Sequence, residues 1–215
     1  EYLGYLRKTS PTPLAKNTPI QRQRPQDFAF VNDMATLLQL ISVKPLNFTD
    51  SKNILPQDLK RILPELDYIE LPYLYKLINK LLLLTLANRI DQQLLPSPQA
   101  RKWLNLETAE KALFIFRHPK NRLIAPLPAP LLNNKMLRIA EQSIEHVLHK
   151  GWLYLEDFLP SVQVSFKENQ PIMLKNQGRQ WYYQTPSLSA EEQQLVAATV
   201  TSWLFEAGLV AVGSY

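Results

Sequence analysis

The chain has 215 residues, 46% hydrophobic and 20% charged, with a formal net charge of +5; that suffices for one large core or two of ordinary size and is far from the composition of a disordered chain. It contains no cysteine, which excludes disulfides, thiolate zinc sites and cysteine nucleophiles and makes a cytoplasmic setting the default expectation. Its longest apolar run, Leu81 to Ala87, stops at Asn88-Arg89, far short of the roughly 18 residues of a membrane span, and its start carries neither Met nor a signal-peptide pattern, as expected of a piece trimmed from a longer chain.

Residues 1–30 hold five Lys or Arg against two Asp or Glu, with Pro11, Pro13, Pro19 and Pro25 interrupting any helix or strand, and predict an extended basic arm. From Val31 the spacing of Met34, Leu37, Leu38 and Ile41 is that of one buried helical stripe, closed by Pro45. A short helix follows over 56–66, with Pro56 in its first turn, Leu59, Ile62 and Leu63 inward and Pro64 shortening it. A third helix, 71–83, puts Leu74, Leu77, Ile78 and Leu81 on one face and Tyr73, Lys76, Asn79 and Lys80 on the other.

Two apolar pieces, 82–87 and Leu94-Leu95, flank a polar loop and read as the strands of a wing. Ser97-Pro98 opens a helix through Trp103, and Ala109, Ala112, Leu113 and Phe116 mark another, closing a first domain over 31–117. Pro119, Pro126, Pro128 and Pro130 predict a stiff connector over 118–133. In the second unit, 134–215, Met136, Ala140, Ile144, Val147 and Leu148 form an amphipathic helix stopped by Gly151. Val162–Phe166 alternates like a strand and would pair with Gln180–Tyr183. Ser189 and Glu192 form a capping box opening a helix lined by Leu195, Val196, Thr199, Val200, Trp203 and Leu204, ended by Gly208 before a strand over Leu209–Val212.

Three helices and a two-stranded wing are the order of a winged helix, whose third helix enters the major groove. On that basis Lys76, Lys80 and Arg89 are candidate phosphate contacts, Asn79 a base-edge contact and Tyr73 a stacking or backbone contact, with Arg101 and Lys102 joining the nucleic-acid-binding set. Two lysines on a solvated helix face are equally ordinary without a partner. The segments Gly151-Trp152-Leu153-Tyr154-Leu155-Glu156-Asp157-Phe158 and Trp203-Leu204-Phe205-Glu206-Ala207-Gly208-Leu209-Val210 resemble parts of the tandem winged-helix regions of bacterial helicase-associated proteins. The resemblance implies an accessory role in DNA handling.

The five glycines are scattered, so no phosphate-cradling loop exists, and no local nucleophile motif stands out. His146 and His149, with Glu141, Glu145 and His118, have conceivable metal spacing, but they lie off the apolar stripe and read as surface residues. Trp181-Tyr182-Tyr183 could stack bases, yet alternation predicts that at least one is buried and that core packing prevails. The sequence therefore predicts a mainly α fold with small β-hairpins (α+β), two winged-helix-like units in tandem, no catalytic site and no cofactor. The expected partner is nucleic acid, DNA before RNA. The alternative is a protein-interaction module of a larger assembly without nucleic-acid contact.

Overall fold

The computed structural model describes residues 12–15, 17–50, 53–124, 136–138, 140–142, 144, 151–166, 173–184 and 188–214. The fold mixes helices with small antiparallel sheets, and the chain forms two units: a larger one of 22–124 with 203–214, and a second of 1–21, 125–202 and 215. The larger unit thus begins inside the predicted arm, continues past residue 117 and recruits the chain's end.

In the larger unit, α1 (Ala29–Val43) buries Phe30, Val31, Met34, Leu37, Leu38 and Ile41. It is followed by β1 (Leu46–Asn47), a strand too short to register as a sequence pattern. α2 (Pro56–Ile62) starts on its proline and gives way to a 3-10 turn, Leu63–Glu65, at Pro64. α3 (Leu71–Leu83) also carries proline in its first turn and buries Leu74, Leu77, Ile78 and Leu81. Proline is tolerated there because first-turn amides have no intrahelical acceptor.

The two strands expected of a wing form an antiparallel hairpin, β2 (Ala87–Ile90) and β3 (Gln93–Pro96), joined by Asp91-Gln92 rather than by the longer loop expected. Asp91 takes a left-handed φ of 53°, which lets a two-residue turn close the hairpin and adds Asn88, Arg89 and Ile90 to the ladder. β1 pairs antiparallel with β3, Leu46 opposite Leu94, so the sheet order is β1-β3-β2. α4 (Pro98–Leu104) is capped by Ser97, whose hydroxyl accepts from the Gln99 N–H and donates to the Thr85 carbonyl. α5 (Thr108–Arg117) opens on a Glu107–Glu110 capping box and buries Ala112 and Ile115. Ala109 and Leu113, read as inward, are exposed: the apolar face turns toward Ile115 instead. A 3-10 turn, Pro119–Ile124, then occupies the first part of the predicted connector.

A polar knot ties the end of α1 to β1 and α2. Asp58 is completely buried; its Oδ2 accepts from the Asn47 backbone N–H at 2.9 Å and from Asn47 Nδ2 at 3.0 Å. Its Oδ1 accepts from Arg61 Nη2 at 3.1 Å, and Arg61 Nη1 donates to the Leu40 carbonyl at 3.2 Å. Burial alone would raise the Asp58 carboxyl, but these hydrogen bonds outweigh it and hold it below its ordinary 3.8.

In the second unit, the described residues of 136–144 are helical, with Leu137, Ala140 and Ile144 buried; Val147 and Leu148 lie outside the described residues. The strand predicted over Val162–Phe166 is the end of a helix, α6 (Leu155–Phe166). Phe158 and Val162, one turn apart, are both buried, so a 3.6-residue period prevails over five residues of alternation. The hairpin forms instead between β4 (Met173–Gln177) and β5 (Gln180–Gln184). α7 (Ala190–Ala198) carries the predicted Ser189–Glu192 capping box and runs into a π-helical segment, Thr199–Leu204. There the Thr199 and Thr201 hydroxyls donate back to the carbonyls of Leu195 and Ala197.

Gly208 ends that run at φ +73°, and a Cβ there would lie 2.6 Å from the Asp27 carbonyl oxygen and 2.6 Å from Phe28 Cδ1. Beyond it, 209–212 is irregular rather than the predicted strand, and Gly213–Ser214 is a two-residue strand. The left-handed turn and the close approach both demand glycine. Gly208→Ala is expected to destabilise the larger unit by more than about 1 kcal/mol, read as a lowered urea midpoint with unchanged slope; an unchanged midpoint would refute the constraint.

Asp58→Asn should cost about 1–3 kcal/mol at neutral pH. Because the folded carboxyl has the lower pKa, the unfolded chain binds more protons below about pH 3.8. The Asp58 stabilisation is complete above that value and is lost as pH falls through the folded pKa. Urea titrations of wild type and Asp58→Asn at neutral pH and at pH 3 should therefore converge toward the acid side.

Candidate functional site

The face of α3 opposite the core carries the residues singled out in the sequence, and their side chains are largely engaged within the larger unit. Lys80, read as solvent-facing, is 3% exposed. Its ammonium donates to the Asn121 side-chain oxygen and to Glu206 Oε2. Lys76 Nζ lies 3.0 Å from Glu206 Oε1, so one carboxylate serves both lysines. Burial pushes the Lys80 ammonium below its ordinary pKa, and the attraction of Glu206 offsets part of that.

Tyr73 is half-buried and donates its hydroxyl to Asp33 Oδ2 at 2.6 Å, while Asp33 Oδ1 accepts from the Asp67 N–H at 3.0 Å. Burial, this hydrogen bond and the neighbouring Asp33 charge all raise the Tyr73 phenol, keeping it a neutral donor. Burial likewise raises the Asp33 carboxyl, against the pull of Tyr73 and the Asp67 amide. Arg89 on β2 donates to the Asp50 carbonyl at 2.9 Å and lies 3.9 Å over the Phe48 ring. Asn79, Arg101 and Lys102 are exposed, the last two on α4 rather than α3.

These positions correct the sequence reading of α3. Lys80 is a core residue, because its helical angle points toward the segment after Trp203 that packs in this unit. Arg24, counted in the basic arm, is buried as well: its guanidinium sits 3.9 Å from the Phe205 ring centroid and donates to the Phe205 carbonyl at 3.1 Å. Sequence reasoning missed Glu206, Asn121 and Asp33. Glu206 left one legible sign, a single charge inside Trp203-Leu204-Phe205-Glu206-Ala207; Asn121 left none.

Besides Lys76 and Asn79, α3 exposes Leu71 (40% exposed), with Ile69 (68% exposed) and Pro72 at its N-terminal end; Tyr75 and Leu82, on the same stripe at helical spacing, are half-buried and pack against the core. Glu65, Asp67 and Glu70, all exposed, surround that end. The N-terminal end of the helix therefore offers an apolar patch with an acidic margin, which disfavours phosphates there, while Lys76 lies farther along the helix. Among the described residues no group of His, Cys, Asp or Glu is arranged to hold a metal ion; His146, His149 and Glu145 lie outside them. No helix among them is long and apolar enough to cross a membrane.

No protein-family model, curated protein or solved structure matches this chain at a significant level.

Glu206→Ala would leave the Lys80 ammonium buried without its carboxylate and should cost about 3–5 kcal/mol. A Lys80→Met, Glu206→Leu pair, which removes both charges at similar volume, should recover most of that loss. Denaturant midpoints of the three proteins decide it: if the single variant matches wild type, the ion pair contributes nothing.

Proposed function

We propose that the larger unit is a winged-helix-like module that docks a protein partner through α3, and that the chain serves as a non-enzymatic accessory part of a larger assembly. The order α1-β1-α2-α3-β2-β3 with its three-stranded sheet supports the winged-helix comparison. The likeness of Gly151–Phe158 and Trp203–Val210 to tandem winged-helix regions of bacterial helicase-associated proteins agrees with an accessory role.

The observation that carries the docking reading is the composition of the outward α3 stripe. Exposed apolar side chains at Ile69 and Leu71, the half-buried Tyr75 and Leu82 beside them, and exposed carboxylates at Glu65, Asp67 and Glu70 suit a partner that inserts an apolar anchor flanked by lysine or arginine. Duplex DNA is the second reading, favoured by the exposed Arg101 and Lys102. Against it, the lysines of α3 already share Glu206.

A photocrosslinking amino acid placed at Tyr75, compared with one at exposed Lys44, tests the docking reading in cells expressing the chain. A discrete protein adduct should form from position 75 alone. Combining it with Leu71→Asp should reduce the adduct at least about 10-fold, as for a central anchor residue. Equal labelling from both positions would overturn the proposal. So would salt-sensitive binding of labelled duplex DNA that is lost in a folded Lys76→Ala, Arg89→Ala variant.

A further inference from the structure

The hairpin of β4 and β5 carries a second, independent feature. Gly178, at φ +70°, and Arg179 form its two-residue turn, a pattern that puts glycine at the first central position and matches the twist of the strands. The register pairs Asn176 with Trp181, Lys175 with Tyr182 and Gln177 with Gln180. Successive side chains alternate between faces, so Trp181 shares a face with Asn176, and Tyr182 shares the other with Lys175.

All nine residues from Leu174 to Tyr182 are exposed. Trp181 is 63% exposed and Tyr182 43% exposed, which corrects the expectation of core packing for these two; the side chain of Tyr183 lies outside the described residues. Neither face of the hairpin tip serves as core. Within 173–184 the ionisable groups of ordinary solution chemistry are cationic, Lys175 and Arg179, with no carboxylate. Exposed flat rings on both faces, cations at the edge and turn, and the amides of Asn176, Gln177 and Gln180 are the chemistry that holds unstacked bases and their phosphates. A duplex hides its base faces, so the rings suit a single strand.

We propose that the β4–β5 hairpin is a binding site for single-stranded nucleic acid, with Trp181 and Tyr182 stacking on bases and Lys175 and Arg179 contacting phosphates. It lies in a different unit from the α3 stripe and stands or falls without the docking proposal.

The test is fluorescence anisotropy of the full chain with labelled oligothymidylate and oligouridylate of about 12 nucleotides, across a salt series. Both should bind more weakly as salt rises, and a preference between them reports whether the sugar is read. Trp181→Ala should weaken binding about 5- to 100-fold, whereas Trp181→Phe, which keeps a ring, should retain most of it. Lys175→Ala with Arg179→Ala should flatten the logarithmic salt slope by about 1.4, two phosphates' worth for a single strand. Because these side chains lie at the surface, circular dichroism of each variant should match wild type. The proposal fails if neither oligonucleotide binds at low salt, if Trp181→Ala binds like wild type, or if a duplex of equal length competes better than the single strand.

Discussion

The larger unit depends on one shared carboxylate. Glu206 sits between Lys76 and Lys80 and is itself buried, so it compensates the buried Lys80 ammonium while also pairing with the half-exposed Lys76. Neither partner is affordable alone, because an uncompensated buried ion is far more costly than the pair. The neighbouring contacts follow the same logic: Arg24 lies on Phe205 and donates to its carbonyl, and Gly208 lets the backbone turn directly against Asp27. Residues 203–208 are thus integral to a core otherwise built from 22–124.

That arrangement changes what α3 can present. Two lysines share one carboxylate, so Glu206 offsets only part of the helix's positive charge, and the half-exposed Lys76 keeps the remainder at the surface. The helix's outward apolar groups are Leu71 and the half-buried Tyr75 and Leu82, bordered at the N-terminal end by carboxylates. Cationic and aromatic groups are jointly exposed elsewhere, on the β4–β5 hairpin. Exposed apolar groups with carboxylates beside them thus lie on one unit, and exposed aromatic rings with cations beside them on the other.

Much of the larger unit's backbone was legible because its signals are local. The stripe of α1, the prolines opening α2, α3 and α4, and the Ser189–Glu192 box of α7 each work within one or two turns of chain. The errors came where a distant partner decides. Lys80 looks like any surface lysine until Glu206 is brought to it, and Val162–Phe166 looks like a strand until Phe158 and Val162 are buried together. Trp181 and Tyr182 were misjudged for the converse reason, since their pattern expected a second layer that the hairpin tip does not have. The candidate site was less legible than the fold: α3 was located correctly, but which of its side chains face outward is settled by residues from 40 to 126 positions away.

The sequence separation of that ion pair has a consequence during synthesis. Lys80 and Glu206 are 126 residues apart, so a ribosome adding about 5–20 residues per second takes on the order of 6–25 seconds to deliver the carboxylate after the ammonium. During that interval Asn121 can reach Lys80 but the compensating carboxylate of Glu206 is still missing. Closure of the larger unit therefore waits for residues 203–214.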